Sequence, residues 1–296
     1  MTFNEGVRID SSRVRTSRGR RGAAVGGGVG GLGLLVVIIL SQLTGTDLTP
    51  LIQGGGSVPE EVGQDLSEVC RTGADANDQV ECRVIGALES LDVFWYETLP
   101  ASGVDFVQPG GVLFEDAVAT EGCGSATSAV GPFYCPPDQT IYLDVDFFGV
   151  LTSQFGSSGG PLAEMYVVAH EYGHHVSNLT GAMAGADRSG SGPESDSVRI
   201  ELQADCYAGM WAGAASTTVD PETGQTFLQP LTKAQVADAL SAAAAVGDDR
   251  IQEQATGTVT PEAWTHGSAE QRMNWFTIGY EQGSLAACDA MSAQTL

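Results

Sequence analysis

His170 and His174 lie one helical turn apart in the run MYVVAHEYGHHV, so on a helix both imidazoles leave one face and can meet a single metal ion. Glu171 is rotated about 100° from His170, beside such an ion, where its carboxylate would face a metal-held water. His175 points away from the pair and reads as a structural histidine. Twenty-seven residues after His174 come Glu201 and Asp205, again at positions i and i+4. A catalytic zinc takes three protein ligands and keeps one position open. Glu201 supplies the third, and Asp205 can accept the spare N–H of a ligating histidine and fix its tautomer. This chemistry is metal-assisted hydrolysis with a carboxylate base. The bland alternative is an acidic, solvated helix face.

Two helices must carry these groups. The first starts after Gly159 and Gly160 with Pro161 in its opening turn, and Gly181 supplies its stop. Leu162, Met165, Ala169, Gly173 and Val176 make its packing stripe, opposite the histidines. The second covers about 197–213. Upstream, Val80, Val84, Leu88, Leu91 and Trp95 mark an amphipathic helix over 78–98 that ends at Pro100. Residues 111–114 and 140–148 are β-branched and aromatic and read as strands. Thr232 with Gln235, and Ser268 with Gln271, fit capping boxes that open further helices. Strands first and helices afterwards indicate an α+β domain.

The pattern HExxH followed by ExxxD resembles the gluzincin zinc peptidases, the thermolysin-like and membrane prenyl-protease branches. More closely, residues 80–290 resemble the bacterial neutral zinc metallopeptidase family. The resemblance rests on GPFYCPPDQTIYLD, VVAHEYGHHV, RIELQADCYAGMWA, AAAVGDDRIQ and THGSAEQRMNWFTIGY. It implies a zincin-like domain, a mixed sheet over the HExxH helix, with one zinc per chain, a peptide or protein substrate and no organic cofactor. A His-x5-Arg element of the prenyl-protease branch is similar to His266 and Arg272, although Gly267 stands where that branch has proline. Carried over, His266 would steady the oxyanion and Arg272 would hold a substrate or structural carboxylate. Two other readings remain: an envelope scaffold with an inactive zinc site, and a deformylase-like hydrolase with Cys123 as third ligand.

Charge divides the chain unevenly. Residues 1–22 hold six arginines against Glu5 and Asp10, a balance of +4, while the other 274 residues hold 7 basic and 35 acidic groups, a balance of −28. Such a domain repels polyanions, which excludes nucleic acid as a partner. Ala23–Leu43 has no charged residue and would span roughly 30 Å as a helix, about one bilayer core. The expectation is a basic cytoplasmic arm (1–22), one transmembrane helix (23–43), a flexible tether (44–64) and a metallopeptidase domain (65–296) outside the cytoplasm of a bacterial cell. There Cys70, Cys82, Cys123, Cys135, Cys206 and Cys288 should be oxidised. Six cysteines allow fifteen pairings; proximity favours Cys70–Cys82 and Cys123–Cys135, leaving Cys206–Cys288.

Overall fold

The structure, a computed structural model, describes residues 2–19 and 60–296. Its centre is a mixed sheet. Strand β1 (Val14–Gly19) pairs antiparallel with β2 (Glu60–Val62) and parallel with β3 (Gly110–Glu115). Beside β3 lies the parallel β7 (Thr140–Asp144), and the outer strand β6 (Phe133–Cys135) runs antiparallel to β7. The order is therefore β2-β1-β3-β7-β6. Side chains alternate across it, as the strand period requires. Leu113, Ile141 and Leu143 enter the main core. Val112, Phe114 and Tyr142 enter a smaller one, with Val118 and Ala126 from a ribbon of β4 (Ala117–Ala119) and β5 (Ser125–Thr127).

The α-helices among the described residues are α1 (Gly73–Asp78), α2 (Val80–Thr98), α3 (Phe147–Ser153), α4 (Pro161–Leu179), α5 (Asp196–Ala214), α6 (Lys233–Ala245), α7 (Asp248–Thr256) and α8 (Ala269–Gln282). Val84, Leu88, Leu91 and Trp95 of α2 are buried, as are Leu162, Met165, Ala169, Gly173 and Val176 of α4. Both capping boxes form, at Thr232 and Ser268. The expected strand 140–148 is corrected: it ends at Asp144. The Asp144 carboxylate accepts the Asp146 N–H at 3.0 Å, a turn that ends the ladder. Phe147 and Phe148 then enter α3.

The larger correction concerns the N-terminus. The expected transmembrane helix, 23–43, lies outside the described residues, as does 44–59 of the expected tether. Among the described residues no helix is long and apolar enough to cross a membrane. The strand register goes further, because Gly19 and Glu60 are partners across the β1–β2 pair. Neighbouring strands lie about 5 Å apart, whereas a single crossing between these residues would separate them by a bilayer core of about 30 Å. The basic arm and the domain therefore share one body. Residues 60–62 of the expected tether are strand.

Burial explains why the arm folds in. Phe3, Val7, Ile9 and Val14 are all core residues. The Asn77 side chain accepts the Thr2 and Phe3 N–H groups, and Asn4 N–H donates to the Phe227 carbonyl. Arg13 forms a half-buried ion pair with Asp92, whose other oxygen accepts the Tyr172 hydroxyl of α4 at 2.8 Å. The arm thus reaches the helix that bears the histidine pair.

Glu89 meets the same arm, accepting the Asp10 N–H at 2.6 Å, while its second oxygen is buried without a partner. Burial pushes its pKa up from 4.5 to about 8, although the Asp10 N–H and Arg13 oppose this. A raised folded-state value means that the protonated form favours folding. This contribution is complete below the unfolded value near 4.5 and is lost as pH rises towards about 8. The urea midpoint should therefore fall between pH 5 and 8, and Glu89→Gln should flatten that fall. An unchanged slope in the variant would contradict this assignment.

Candidate active site

Helix α4 presents His170, Glu171 and His174 to a cavity of about 480 Å³, which Glu201 of α5 also lines. Close approach of the two helices makes this possible. A Cβ added at Gly173 would lie 2.7 Å from the Ala204 carbonyl oxygen, so only glycine admits α5 here. The result is three donors facing one point. The Glu201 carboxylate stands 3.1 Å from His170 Nε2 and 3.5 Å from His174 Nε2, and the three donor atoms lie within 4.8 Å of one another. Glu171 lines the cavity with no hydrogen-bond partner among the described residues, and it is 8 % exposed. His175 instead is buried between the Tyr134 hydroxyl and the Val107 carbonyl. Burial lowers its pKa to about 4, consistent with a neutral structural ring.

Behind the histidines lies a buried polar cluster. His170 Nδ1 donates to Asp205 at 2.8 Å, and the Tyr166 hydroxyl donates to the same oxygen at 2.5 Å. Arg272 binds both Asp205 oxygens, at 2.8 and 3.0 Å. Of the two expectations for Arg272, it serves a structural carboxylate. Helix α8 comes close enough because Gly279 lies against the Cys206 carbonyl, where a Cβ would sit 1.9 Å away. The Cys206–Cys288 disulfide ties α5 to the C-terminal segment. Burial alone would raise Asp205, but Arg272 and His170 hold it below the usual carboxylate range. Burial works against a proton on His170, yet Asp205 and Glu201 more than offset it and raise its pKa to about 10. The pocket favours positive charge at that ring.

The family model described as "Putative neutral zinc metallopeptidase" matches residues 4–291. The chain belongs to the neutral zinc metallopeptidase family. An uncharacterized protein of Mycobacterium tuberculosis (strain ATCC 25618 / H37Rv) is 56 % identical over 234 residues, 79 % of this chain and 78 % of that one. The uncharacterized protein YpfJ of Escherichia coli (strain K12) is 35 % identical over 278 residues, 92 % of this chain and 90 % of its own. No solved structure matches.

Zinc is the metal that the family name states, and the donor set fits it. Tetrahedral ligands at about 2.0–2.1 Å from zinc stand roughly 3.3 Å from one another, close to the separations of Glu201 from the two rings. Two imidazoles and a carboxylate are zinc donors of a catalytic type. Asp205→Asn removes the carboxylate that orients His170. Zinc affinity should weaken about 10–100-fold, as competition with a chromogenic chelator would measure. Wild-type affinity would show that the Asp205 contact is incidental to the metal.

His266 stands at the cleft mouth, its side chain 47 % exposed and its Nδ1 3.4 Å from Asp248. The cleft walls withdraw part of the ring from water, which disfavours its charged form, but Glu201 and Asp248 raise its pKa overall. Asp248 is the residue that sequence reasoning missed. Its Oδ2 accepts the N–H groups of Thr265, His266 and Gly267 at 2.7, 2.7 and 3.1 Å, so it fixes the loop that carries His266. The available signal was the pair Asp248–Asp249 after Gly247, which reads locally as ordinary acid at a helix N-terminus. Cys123 is bonded to Cys135, and the other pairs are Cys70–Cys82 and Cys206–Cys288, the pairings that proximity favours. A bridged sulfur is no thiolate ligand, and the third donor beside the histidines is Glu201.

Proposed function

We propose that the chain is a zinc-dependent endopeptidase acting in an oxidising compartment outside the cytoplasm. The observation that carries this reading is the convergence of His170, His174 and Glu201 beside Glu171 on one cavity wall. Zinc held there would supply Lewis acidity, lowering the pKa of a water to about 7 and polarising the scissile carbonyl.

Glu171 then accepts the proton of the attacking water and delivers it to the leaving amine. His266, oriented by Asp248, hydrogen-bonds the oxygen on which negative charge develops. Asp205, locked by Arg272 and Tyr166, holds His170 in the tautomer whose Nε2 faces Glu201. Residues 131–134, at the outer strand of the sheet, border the same cavity, so an extended peptide can join β6 by strand addition. The three disulfides support the compartment.

The test uses the full chain. Metal analysis should find one zinc per molecule, and casein or a peptide library should be cleaved. A chelator should abolish cleavage and added zinc restore it. Stoichiometric zinc with no cleavage of any substrate would replace the peptidase with a binding scaffold. Alkylation in intact cells should find no free thiol before reduction; six alkylated cysteines would place the protein in a reducing compartment.

A further inference from the structure

We propose that the Cys123–Cys135 bridge is a thiol–disulfide exchange site that makes peptide binding conditional on oxidation: a dithiol reductant opens it, and opening loosens the outer strand against which the peptide lies. The link to peptide binding rests on the peptidase reading; the chemistry of the bridge does not. The three bridges differ in access. Cys70, Cys82, Cys206 and Cys288 are each at most 1 % exposed, so a reductant reaches their sulfurs only through unfolding. Cys123 is exposed. It sits at the tip of the β4–β5 ribbon, where its N–H donates to the Thr120 hydroxyl at 2.7 Å and the Thr120 N–H donates to the Gly124 carbonyl at 2.8 Å. One side of this turn is seated, since a Cβ at Gly122 would lie 2.6 Å from Pro137. The other is open: a Cβ at Gly124 would meet nothing within 4 Å.

Its partner is at the opposite extreme. Cys135 is fully buried at the end of β6, in the smaller core with Val112, Phe114, Val118 and Tyr142. Strand β6 is bonded on one side, by three residue pairs with β7, and the bridge ties it covalently to the ribbon. Phe133, two residues earlier, stacks on Tyr142 with ring centroids 4.9 Å apart and also borders the cavity. The core that receives Cys135 and the wall of the cleft thus share one side chain.

Exchange proceeds in two displacements. A thiolate of the reductant attacks Cys123 Sγ, the Cys123–Cys135 bond breaks, and Cys135 leaves as a thiolate that takes a proton from water. The second thiol of the reductant, as thiolate, attacks its own sulfur in the mixed disulfide and releases Cys123, protonated likewise. The chain gains two electrons and two protons, and the reductant becomes a disulfide. Apolar surroundings favour the neutral thiol over the thiolate, so Cys135 leaves only as the end of β6 moves towards water. Reduction and strand opening are therefore one event, and by linkage a peptide that holds β6 in place resists reduction. In the oxidising compartment proposed above the strand is closed and competent; in a reducing one it is not.

The experiment treats zinc-loaded full-length protein with reduced thioredoxin, a dithiol protein. It follows alkylation, zinc content, kinetics on one peptide and amide hydrogen exchange. Cys123 and Cys135 should alkylate while the other four cysteines stay bridged. Exchange at residues 133–135 should speed up by about tenfold or more. KM should rise by about tenfold, with kcat within about twofold and zinc retained, and reoxidation should restore both. Cys123→Ser combined with Cys135→Ser should show the reduced behaviour from the outset and ignore thioredoxin; should that variant not fold, reversible reduction of the wild type carries the test alone. On Glu171→Gln, saturating peptide should slow alkylation of the pair. The proposal is overturned if another bridge opens first, if none opens, or if an opened bridge leaves either exchange or KM unchanged. Release of zinc, or equal alkylation with and without peptide, overturns it too. Should oxidised wild type cleave nothing, the peptidase reading fails on its own, and the order of alkylation together with exchange at 133–135 decides the chemistry of the bridge.

Discussion

Glu171→Gln should retain one zinc per chain and lose about 10²–10⁴-fold in kcat, the usual contribution of a positioned general base. Glutamine preserves the size of the side chain and its ability to hydrogen-bond a water, but it accepts no proton at neutral pH. The loss should fall on kcat, with little change in KM, because Glu171 lines the cavity without holding any of the three metal donors. The measurements are metal content, melting temperature and steady-state kinetics of both proteins on one peptide. Full activity in the variant would remove Glu171 from the mechanism. Lost zinc would instead make it a ligand.

A fragment beginning at residue 60 should fail to fold cooperatively. It lacks β1, an interior strand bonded on both sides, together with Phe3, Val7, Ile9 and Val14 of the core. Full burial of such side chains contributes about 1.5–3 kcal/mol each, and the four together rival the whole stability of a domain, about 5–15 kcal/mol. Asp92 would also lose Arg13, leaving a part-buried charge held only by Gln108 and by Tyr172 of the helix that bears the histidine pair. The fragment should bind a hydrophobic dye and melt without a sharp transition, and a synthetic peptide covering residues 2–19 should restore both. A sharp transition and wild-type activity in the fragment alone would show that the arm is dispensable.

Glu171 and the N-terminal arm differ in how far the sequence alone reveals their roles. Glu171 is legible in the chain because its position beside the His170–His174 pair follows from helix geometry, and helix geometry is local. The long stripes of α2 and α4 were legible for the same reason, as were the caps at Thr232 and Ser268. The role of residues 2–19 was not. Six arginines ahead of an uncharged run have the composition of a membrane flank, whereas the apolar residues Phe3, Val7, Ile9 and Val14 are too sparse to announce a strand. Pairing of β1 with β3 joins residues almost a hundred positions apart, a relation that no local period encodes. Phe147 and Phe148 misled in the opposite way, since aromatic residues suit a strand and yet follow the Asp144 turn into α3.

By itself the sequence determined the chemistry available to this protein: two imidazoles one turn apart, a base beside them, and a carboxylate pair on a second helix. Periodicity fixes which groups share a helix face, so this much needs no knowledge of the fold. Only the tertiary structure decided where those faces meet. Gly173 and Gly279 let three helices approach to backbone contact, which brings Glu201 to the imidazoles and Arg272 to Asp205. The same packing assigns Asp248 to the His266 loop and draws the basic arm into the sheet. Such outcomes depend on which distant surfaces exclude water together, and that is a property of the folded chain as a whole.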